Sequence, residues 1–187
     1  MAELMNDYSG PLKTDFSLND CSQGFLVKIA REWQYEFLKF EEMMFNMLKE
    51  RIGQEEADKF ELELWKKFCK VNVPRIARLA NIEVRNAVDY QKLSQLLPEG
   101  LMFQPITTYE VINPDHVKLT VHKCLILDWM EKNDPARIKR MCHEVEGALF
   151  TDYIKVLLPD FKANPLMLPP RKSPSDIACV WEYVKES

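Results

Sequence analysis

Proline divides this sequence into two parts that cannot fold alike. Residues 12–73 contain no proline, whereas nine of the eleven prolines lie at or beyond Pro98. Because proline fixes φ and lacks an N–H donor, long helices are permitted in the first part and excluded from the second. The distribution therefore predicts a helical part over residues 1–97 and a part of short elements over residues 98–187. The length of 187 residues favours a single domain that contains both.

Apolar side chains recur at steps of three and four residues through residues 26–48, which is the spacing of one helix face. This stripe predicts one long helix. Asn19 or Asp20 is expected to cap its start, and Gly53 is expected to end it. Met43, Met44 and Met47 would form a soft surface if exposed, which suits a homodimer through this helix.

A second apolar stripe, over residues 57–71, predicts a second helix. It should begin at Glu55, because acidic residues favour a helix N-terminus, and it should end or bend at Pro74. With only a short connection between them, the two long helices are expected to form an antiparallel hairpin. A short third helix is predicted over residues 89–97, stopped by residues 98–100.

The second part of the chain changes period. Residues 106–112 and 117–127 are rich in β-branched and apolar types, and turn-forming residues 113–115 separate them, which predicts a β-hairpin. Asp134 before Pro135 is a helix start, and residues 135–158 carry one apolar face.

A second hairpin is predicted from residues 166–168 and 177–184. The resulting fold class is α+β, in which an N-terminal helical hairpin packs on a C-terminal β-β-α-β-β unit with a mostly antiparallel sheet.

Charge and cysteine content indicate the setting. The formal charge of −4 includes no basic stretch, so neither nucleic acid nor a membrane surface is expected as a partner. The longest uncharged run, residues 100–109, is about half of the roughly 20 residues that a membrane helix needs. Five widely spaced cysteines without a CxxC pair, and an N-terminus without a secretion signal, favour a cytoplasmic protein with reduced thiols.

No phosphate loop, dinucleotide fingerprint or HExxH pattern is present, so no cofactor is expected, and metal content is left open. The most reactive residue types instead gather in the second part. Cys142 and Glu146 are four residues apart and share a helix face, and Cys179 lies on the last predicted strand. A thiol beside a carboxylate is the arrangement of a nucleophile with a base. Ordinary core packing explains each cysteine taken singly, because free cysteine is among the most buried residue types.

Four further residues are predicted to contact a ligand. His122 and Cys124 are two apart on a predicted strand and therefore share a face. Trp181 lies on the same side of its strand as Cys179. Arg171 is a basic residue that suits the carboxylate of a substrate, although an exposed turn charge is the more frequent explanation.

Two stretches carry a resemblance to known families. Both stretches resemble a family of uncharacterised prokaryotic cytosolic proteins. The first comprises residues 49–57 (KERIGQEEA) with Leu64-Trp65, and the second comprises residues 169–183 (PPRKSPSDIACVWEY). From about Cys124 onward the chain is similar to L-2-amino-thiazoline-4-carboxylate hydrolase-like domains. Those domains have one cysteine on a strand, one near the start of an acidic helix and one just before the last strand. Cys124, Cys142 and Cys179 occupy the corresponding positions in this sequence.

The resemblance implies a hydrolase that opens a C–N bond in a small cyclic, carboxylate-bearing molecule. Cys142 or Cys179 would be the nucleophile, and Glu146 or His122 would move the proton. Related domains of the vinyl reductase type bind zinc through a Glu-x-x-Cys pattern, but residues 166–171 here offer neither carboxylate nor thiol.

Whether the chain is an enzyme is left open by the sequence. The alternative to the hydrolase is a non-catalytic small-molecule-binding or sensing domain, in which helices and sheet enclose a ligand. Hydrolysis requires a polar Cys142–Glu146 face that substrate can reach, whereas binding requires only a cavity. A homodimer through the long first helix is compatible with either.

Overall fold

The computed structural model describes residues 4–98, 100 and 106–186. Its internal contacts divide the chain into two compact units, Met1–Arg51 and Ile52–Ser187. The expected single domain with an internal boundary at residue 97 stays a prediction, as does the hairpin between the two long helices. Glu99, which belongs to the predicted helix stop, and residues 101–105 lie outside the described residues.

The N-terminal unit is dominated by the predicted long helix, α1 (Gln23–Ile52). A 3₁₀-helix (Leu18–Asp20) precedes it, and Ser17 and Asp20 cap that short helix reciprocally. The expected cap of α1 by Asn19 or Asp20 is therefore wrong. Ser22 takes that place, since its Oγ accepts a hydrogen bond from the backbone N–H of Phe25 at 3.2 Å.

The C-terminal unit begins with α2 (Gln54–Leu79) and α3 (Ala87–Ser94). Pro74 lies inside α2, so of the two expectations for this residue the end of the helix is wrong and the bend stays a prediction. A proline removes one helical hydrogen bond, but Val73 and Ala77 on either side of it are buried in the core. Packing of the apolar face therefore carries the helix past the proline, because tertiary contacts supply most helix stability in proteins.

A four-stranded antiparallel sheet confirms the predicted α+β class. Its strands are β1 (Thr107–Asn113), β2 (His116–Val121), β3 (Phe161–Met167) and β4 (Cys179–Lys185), in the spatial order β1-β2-β4-β3. The two predicted hairpins are thus present, and β2 joins them by pairing with β4. β3 starts earlier than expected and includes Pro165.

The segment after β2 differs from the prediction. The strand expected over residues 117–127 ends at Val121, and Leu125–Asn133 forms α4 instead. Further along, α5 (Arg137–Lys139), a π-helical stretch (Arg140–Val145) and α6 (Glu146–Lys155) follow one another without a gap. A helix was expected over residues 135–158, but the π-helical stretch within it was not.

The core of the C-terminal unit lies between one face of the sheet and the helices. β2 and β4 contribute alternate residues to this face, and α6 packs on β3 while α3 packs on β2. The largest fully buried side chains are those of Cys69, Val73, Leu93, Val117, Leu127, Met130, Ile154 and Trp181. Among the helices in the described ranges, none combines the length and the apolar character needed to cross a bilayer.

Candidate functional site

Three thiols and a carboxylate on four different elements of the C-terminal unit interact electrostatically. Cys124 is the N-cap of α4, Cys142 lies in the π-helical stretch, Glu146 begins α6 and Cys179 begins β4. The negative charge of Glu146 acts on all three thiols, and Cys124 and Cys179 act on Cys142. We refer to these four residues as the thiol–carboxylate cluster. That they line one ligand pocket stays a prediction.

The thiols of the cluster are protonated at neutral pH. Burial raises the pKa of Cys124 and of Cys179 to about 12, and the charge of Glu146 adds to the rise. The pKa of Cys142 is raised well above its usual value by the same two causes, burial first. Because the thiolate is the nucleophilic form of cysteine, this environment opposes a cysteine nucleophile.

The π-helical stretch gives the cluster its local geometry. The backbone N–H of Glu146 donates to the carbonyl of Met141, five residues back, rather than four as in an α-helix. In the same stretch the ring of His143 makes a hydrogen bond of 2.6 Å with the carbonyl of Pro169. Short π-helical turns inside α-helices occur frequently at functional sites, because the extra residue re-aims side chains. Cys142 therefore sits in a distinctive segment of its helix.

Trp181 brings an unsatisfied donor to the cluster. Its side chain is 1% exposed, and its Nε1 has no hydrogen-bond partner of good geometry among the described residues. The indole does reach the Cys179 thiol, and this weak hydrogen bond lowers the pKa of the thiol against the larger effect of burial. Because sulfur is a weak acceptor, the contact offsets only part of the cost of about 1–3 kcal/mol for a buried N–H without a partner. A stronger acceptor at this point would recover the rest.

Aromatic rings extend from Trp181 into the core. Phe150 meets Trp181 edge-to-face, with ring centroids 4.6 Å apart, and lies 6.5 Å from Tyr183, which contacts Tyr90 at 5.6 Å. Burial raises the pKa of Tyr183. Strand alternation places Tyr183 on the same face as Cys179 and Trp181, but the sequence analysis gave it no role at the site. No sequence signal pointed to Phe150.

Arg171 is engaged by protein carboxylates. Its guanidinium binds Glu131 through two hydrogen bonds, at 2.8 and 2.9 Å, and also binds Asp128, and its side chain is 3% exposed. Hydrogen bonds to these carboxylates raise its pKa. The proposed contact with a substrate carboxylate is therefore disfavoured, because the forked face of the guanidinium is filled.

The ion pairs of Arg171 give it a positioning role. Asp128 and Glu131 both lie on α4, whose N-cap is Cys124. Arg171 thus ties the loop that precedes β4 to the helix that presents Cys124.

His122 lies apart from this arrangement. It is exposed beyond the end of β2, and its Nε2 lies 2.8 Å from the hydroxyl of Thr108. The strand face that it was expected to share with Cys124 does not exist, because β2 ends at Val121 and Cys124 caps a helix. The reason for assigning His122 a role at the site is therefore wrong.

A separate cavity of about 330 Å³ opens between α2 and α6. Lys66, Lys70 and Lys155 line it, together with Cys69 and Asp152. Two of these lysines already have carboxylate partners, since Lys66 lies 3.3 Å from Asp152 and Lys155 lies 3.1 Å from Glu186. The cavity therefore carries little free positive charge, and exposed ion pairs of this kind are weak.

No metal-binding geometry is found in the part of the chain that the structure describes, where no three His, Cys, Asp or Glu side chains are grouped to hold an ion. The three thiols of the cluster therefore do not form a zinc-ligand arrangement among the described residues. No protein-family model, curated protein or solved structure matches the chain. The similarity to aminothiazoline carboxylate hydrolase-like domains consequently stays a prediction.

Proposed function

We propose that the C-terminal unit is a non-catalytic binding or sensing domain for a small molecule, and that the thiol–carboxylate cluster is its site. The observation that carries this proposal is the buried indole N–H of Trp181, which lies beside Cys179 without a good acceptor. A ligand oxygen at this point would satisfy the donor and recover the cost of its burial. Core packing alone does not account for a carboxylate whose charge acts on three thiols, one of them beside a buried polar donor.

The chemistry of the cluster indicates the ligand class. Trp181 offers a donor for a carboxylate or carbonyl oxygen, and the negative charge of Glu146 complements an amino or amidine group. The rings of Phe150 and Trp181 provide an apolar wall for a flat molecule. A small cyclic amino acid or amidine with one carboxylate has all three features.

Hydrolysis of such a compound is the second proposal, favoured by the placement of Cys142 and Glu146 on consecutive helical segments. The sulfur of Cys142 would add to the carbon of the C–N bond, and its proton would pass through Glu146 to the leaving nitrogen. Water would then cleave the carbon–sulfur bond and restore the thiol. The raised pKa of Cys142 opposes the first step, so binding without reaction is the primary proposal.

The test uses thermal shift and calorimetry of the full chain with 2-aminothiazoline-4-carboxylate and a panel of small cyclic carboxylates. Cys142→Ala and Glu146→Gln should reduce the affinity at least about 10-fold, equal to about 1.4 kcal/mol. Cys69→Ala is the control, because Cys69 is also a free cysteine of the C-terminal unit but lies on α2, outside the cluster.

Liquid chromatography of the same mixtures separates the two proposals. Binding with no ring-opened product supports the sensing domain, and product that depends on Cys142 supports the hydrolase. Absence of binding to every probe, or equal losses in Cys142→Ala and Cys69→Ala, contradicts the placement of a site at the cluster.

A further inference from the structure

One face of α1 presents large apolar side chains to water. Trp33 is 61% exposed, Phe37 36%, Phe40 69% and Met47 52%. Together with Ala30 and Met44, which complete the stripe, they follow one another at steps of 3, 4, 3, 4 and 3 residues. We refer to these six residues as the α1 seam. Alternating steps of three and four are the a/d pattern of a coiled coil, which selects another helix as the partner.

The exposed area of the α1 seam suits a stable interface. At roughly 200 Å² for each aromatic side chain, the exposed parts of Trp33, Phe37 and Phe40 amount to about 330 Å². Met47, and Met43 at the edge of the seam, raise the exposed apolar area to the order of 500 Å² on one chain. Monomeric proteins rarely expose a contiguous apolar patch larger than a few hundred Å². Two copies would bury on the order of 1,000 Å², the size at which specific interfaces begin.

We propose that the α1 seam binds the α1 seam of a second copy of this chain, in antiparallel orientation about a two-fold axis between Phe37 and Phe40. In a parallel pair, Glu36 would face Glu41 of the second copy, and symmetry would repeat this repulsion on the other side. The antiparallel pair places Glu36 beside Met43 and Glu41 beside Gln34 instead. No like charges then oppose each other along the flanks.

Side-chain sizes along the α1 seam fit the same register. With Phe37 opposite Phe40 of the second copy, the small Ala30 falls opposite Met47, and Trp33 falls opposite Met44. On either side of the central phenylalanine pairs, large residues thereby meet small or flexible ones, and methionine sulfur packs favourably against an aromatic ring. Each contact occurs twice, as a two-fold interface requires. The antiparallel arrangement also opposes the two helix dipoles.

Sedimentation of the full chain at micromolar concentration tests the association. The expected mass is twice the 22.0 kDa of one chain. Phe40→Glu should weaken the dimer at least about 100-fold in Kd, because the change places two charges at its centre. Tyr35→Glu is the matched control, since Tyr35 is 55% exposed on the same helix but lies off the seam, and it should leave the mass unchanged.

Far-UV circular dichroism verifies that both variants keep their helices, which is expected because both substituted residues face water. A native chain that sediments as a monomer overturns the proposal. A dimer that resists Phe40→Glu, or that Tyr35→Glu disrupts equally, overturns the role of the α1 seam.

Cysteine cross-linking tests the orientation. A mixture of Ala30→Cys and Met47→Cys chains should form a disulfide between positions 30 and 47 under mild oxidation, identified by peptide mass spectrometry. Ala30→Cys alone should not link to itself across the two-fold axis, because residue 30 of the two copies lies at opposite ends of the seam. Self-linking of Ala30→Cys, with no mixed disulfide, would show a parallel pair and overturn the antiparallel arrangement.

Discussion

Replacing Arg171 by methionine is expected to destabilise the C-terminal unit more than any nearby surface change. Methionine keeps most of the apolar stem, so the loss is that of the charged head. The guanidinium makes two hydrogen bonds to Glu131 and another to Asp128, all to carboxylates on α4. Removing it leaves Glu131 without its cation and Asp128 with only the more distant Lys123, whose Nζ lies 4.0 Å from the Asp128 carboxylate.

The size of the effect follows from these contacts. Hydrogen bonds to charged groups contribute about 1.5–3 kcal/mol each, and breaking a fully buried ion pair costs about 3–5 kcal/mol. Asp128 and Glu131 are 22% and 23% exposed, so water recovers part of the loss. The expected decrease in the free energy of unfolding for Arg171→Met is therefore about 3 kcal/mol, at the lower end of that range.

Urea unfolding, followed by tryptophan fluorescence, measures this decrease. Three of the four tryptophans, Trp65, Trp129 and Trp181, lie in the C-terminal unit and report on it. Lys172→Met is the control, because Lys172 is exposed and has no ion pair within the described residues, and it should change stability by less than about 0.5 kcal/mol. A loss below about 1 kcal/mol for Arg171→Met, or equal losses in both variants, would refute the reasoning.

Three further predictions concern the thiols. Glu146→Gln should lower the pKa of Cys142 and Cys179 only part of the way to the usual value, because burial is the larger cause of the rise. The pH dependence of alkylation measures this change. Glu144→Gln is the control and should have no effect, because Glu144 is exposed. The free energy of unfolding should fall as pH rises from about 9 to about 12, because folded Cys124 and Cys179 keep protons that the unfolded chain releases near pH 9. A urea midpoint that does not change across this pH range would contradict this prediction. Thiol titration of the denatured protein, purified without reductant, should give five free thiols, and a lower count would reveal disulfides.

The periodicity of apolar residues correctly predicted the helices in which the apolar stripe is long. The apolar stripe of α1 repeats over most of its 30 residues, and α2, the next helix along the chain, was predicted on the same ground. The helix α4 was missed, because residues 124–127 (CLIL) form a short apolar run that periodicity cannot assign to strand or helix. Its N-cap is Cys124, whose sulfur accepts from the backbone N–H of Leu127 at 3.4 Å. Cysteine is not among the usual capping residues, so the sequence carried no start signal there.

From the sequence, only those parts of the candidate site could be predicted whose residues lie close together along the chain. The four-residue spacing of Cys142 and Glu146 placed them together from the sequence alone. The ion pairs of Arg171 join residues 40 and 43 positions apart, and the unsatisfied Trp181 nitrogen depends on how the strand packs against α6. Such long-range pairings follow from tertiary structure, which a single sequence does not specify at the level of side chains.

Thiol footprinting by mass spectrometry tests the proposed site most directly. The folded chain is treated with a slow alkylating reagent, once with and once without 2-aminothiazoline-4-carboxylate or the best ligand of the panel. The rate of modification is measured for each cysteine separately. A ligand at the thiol–carboxylate cluster should slow the modification of Cys142 and Cys179 several-fold and leave Cys69, on α2, unchanged. Protection of Cys69 alone, or equal protection of all five cysteines, would contradict a site at the cluster.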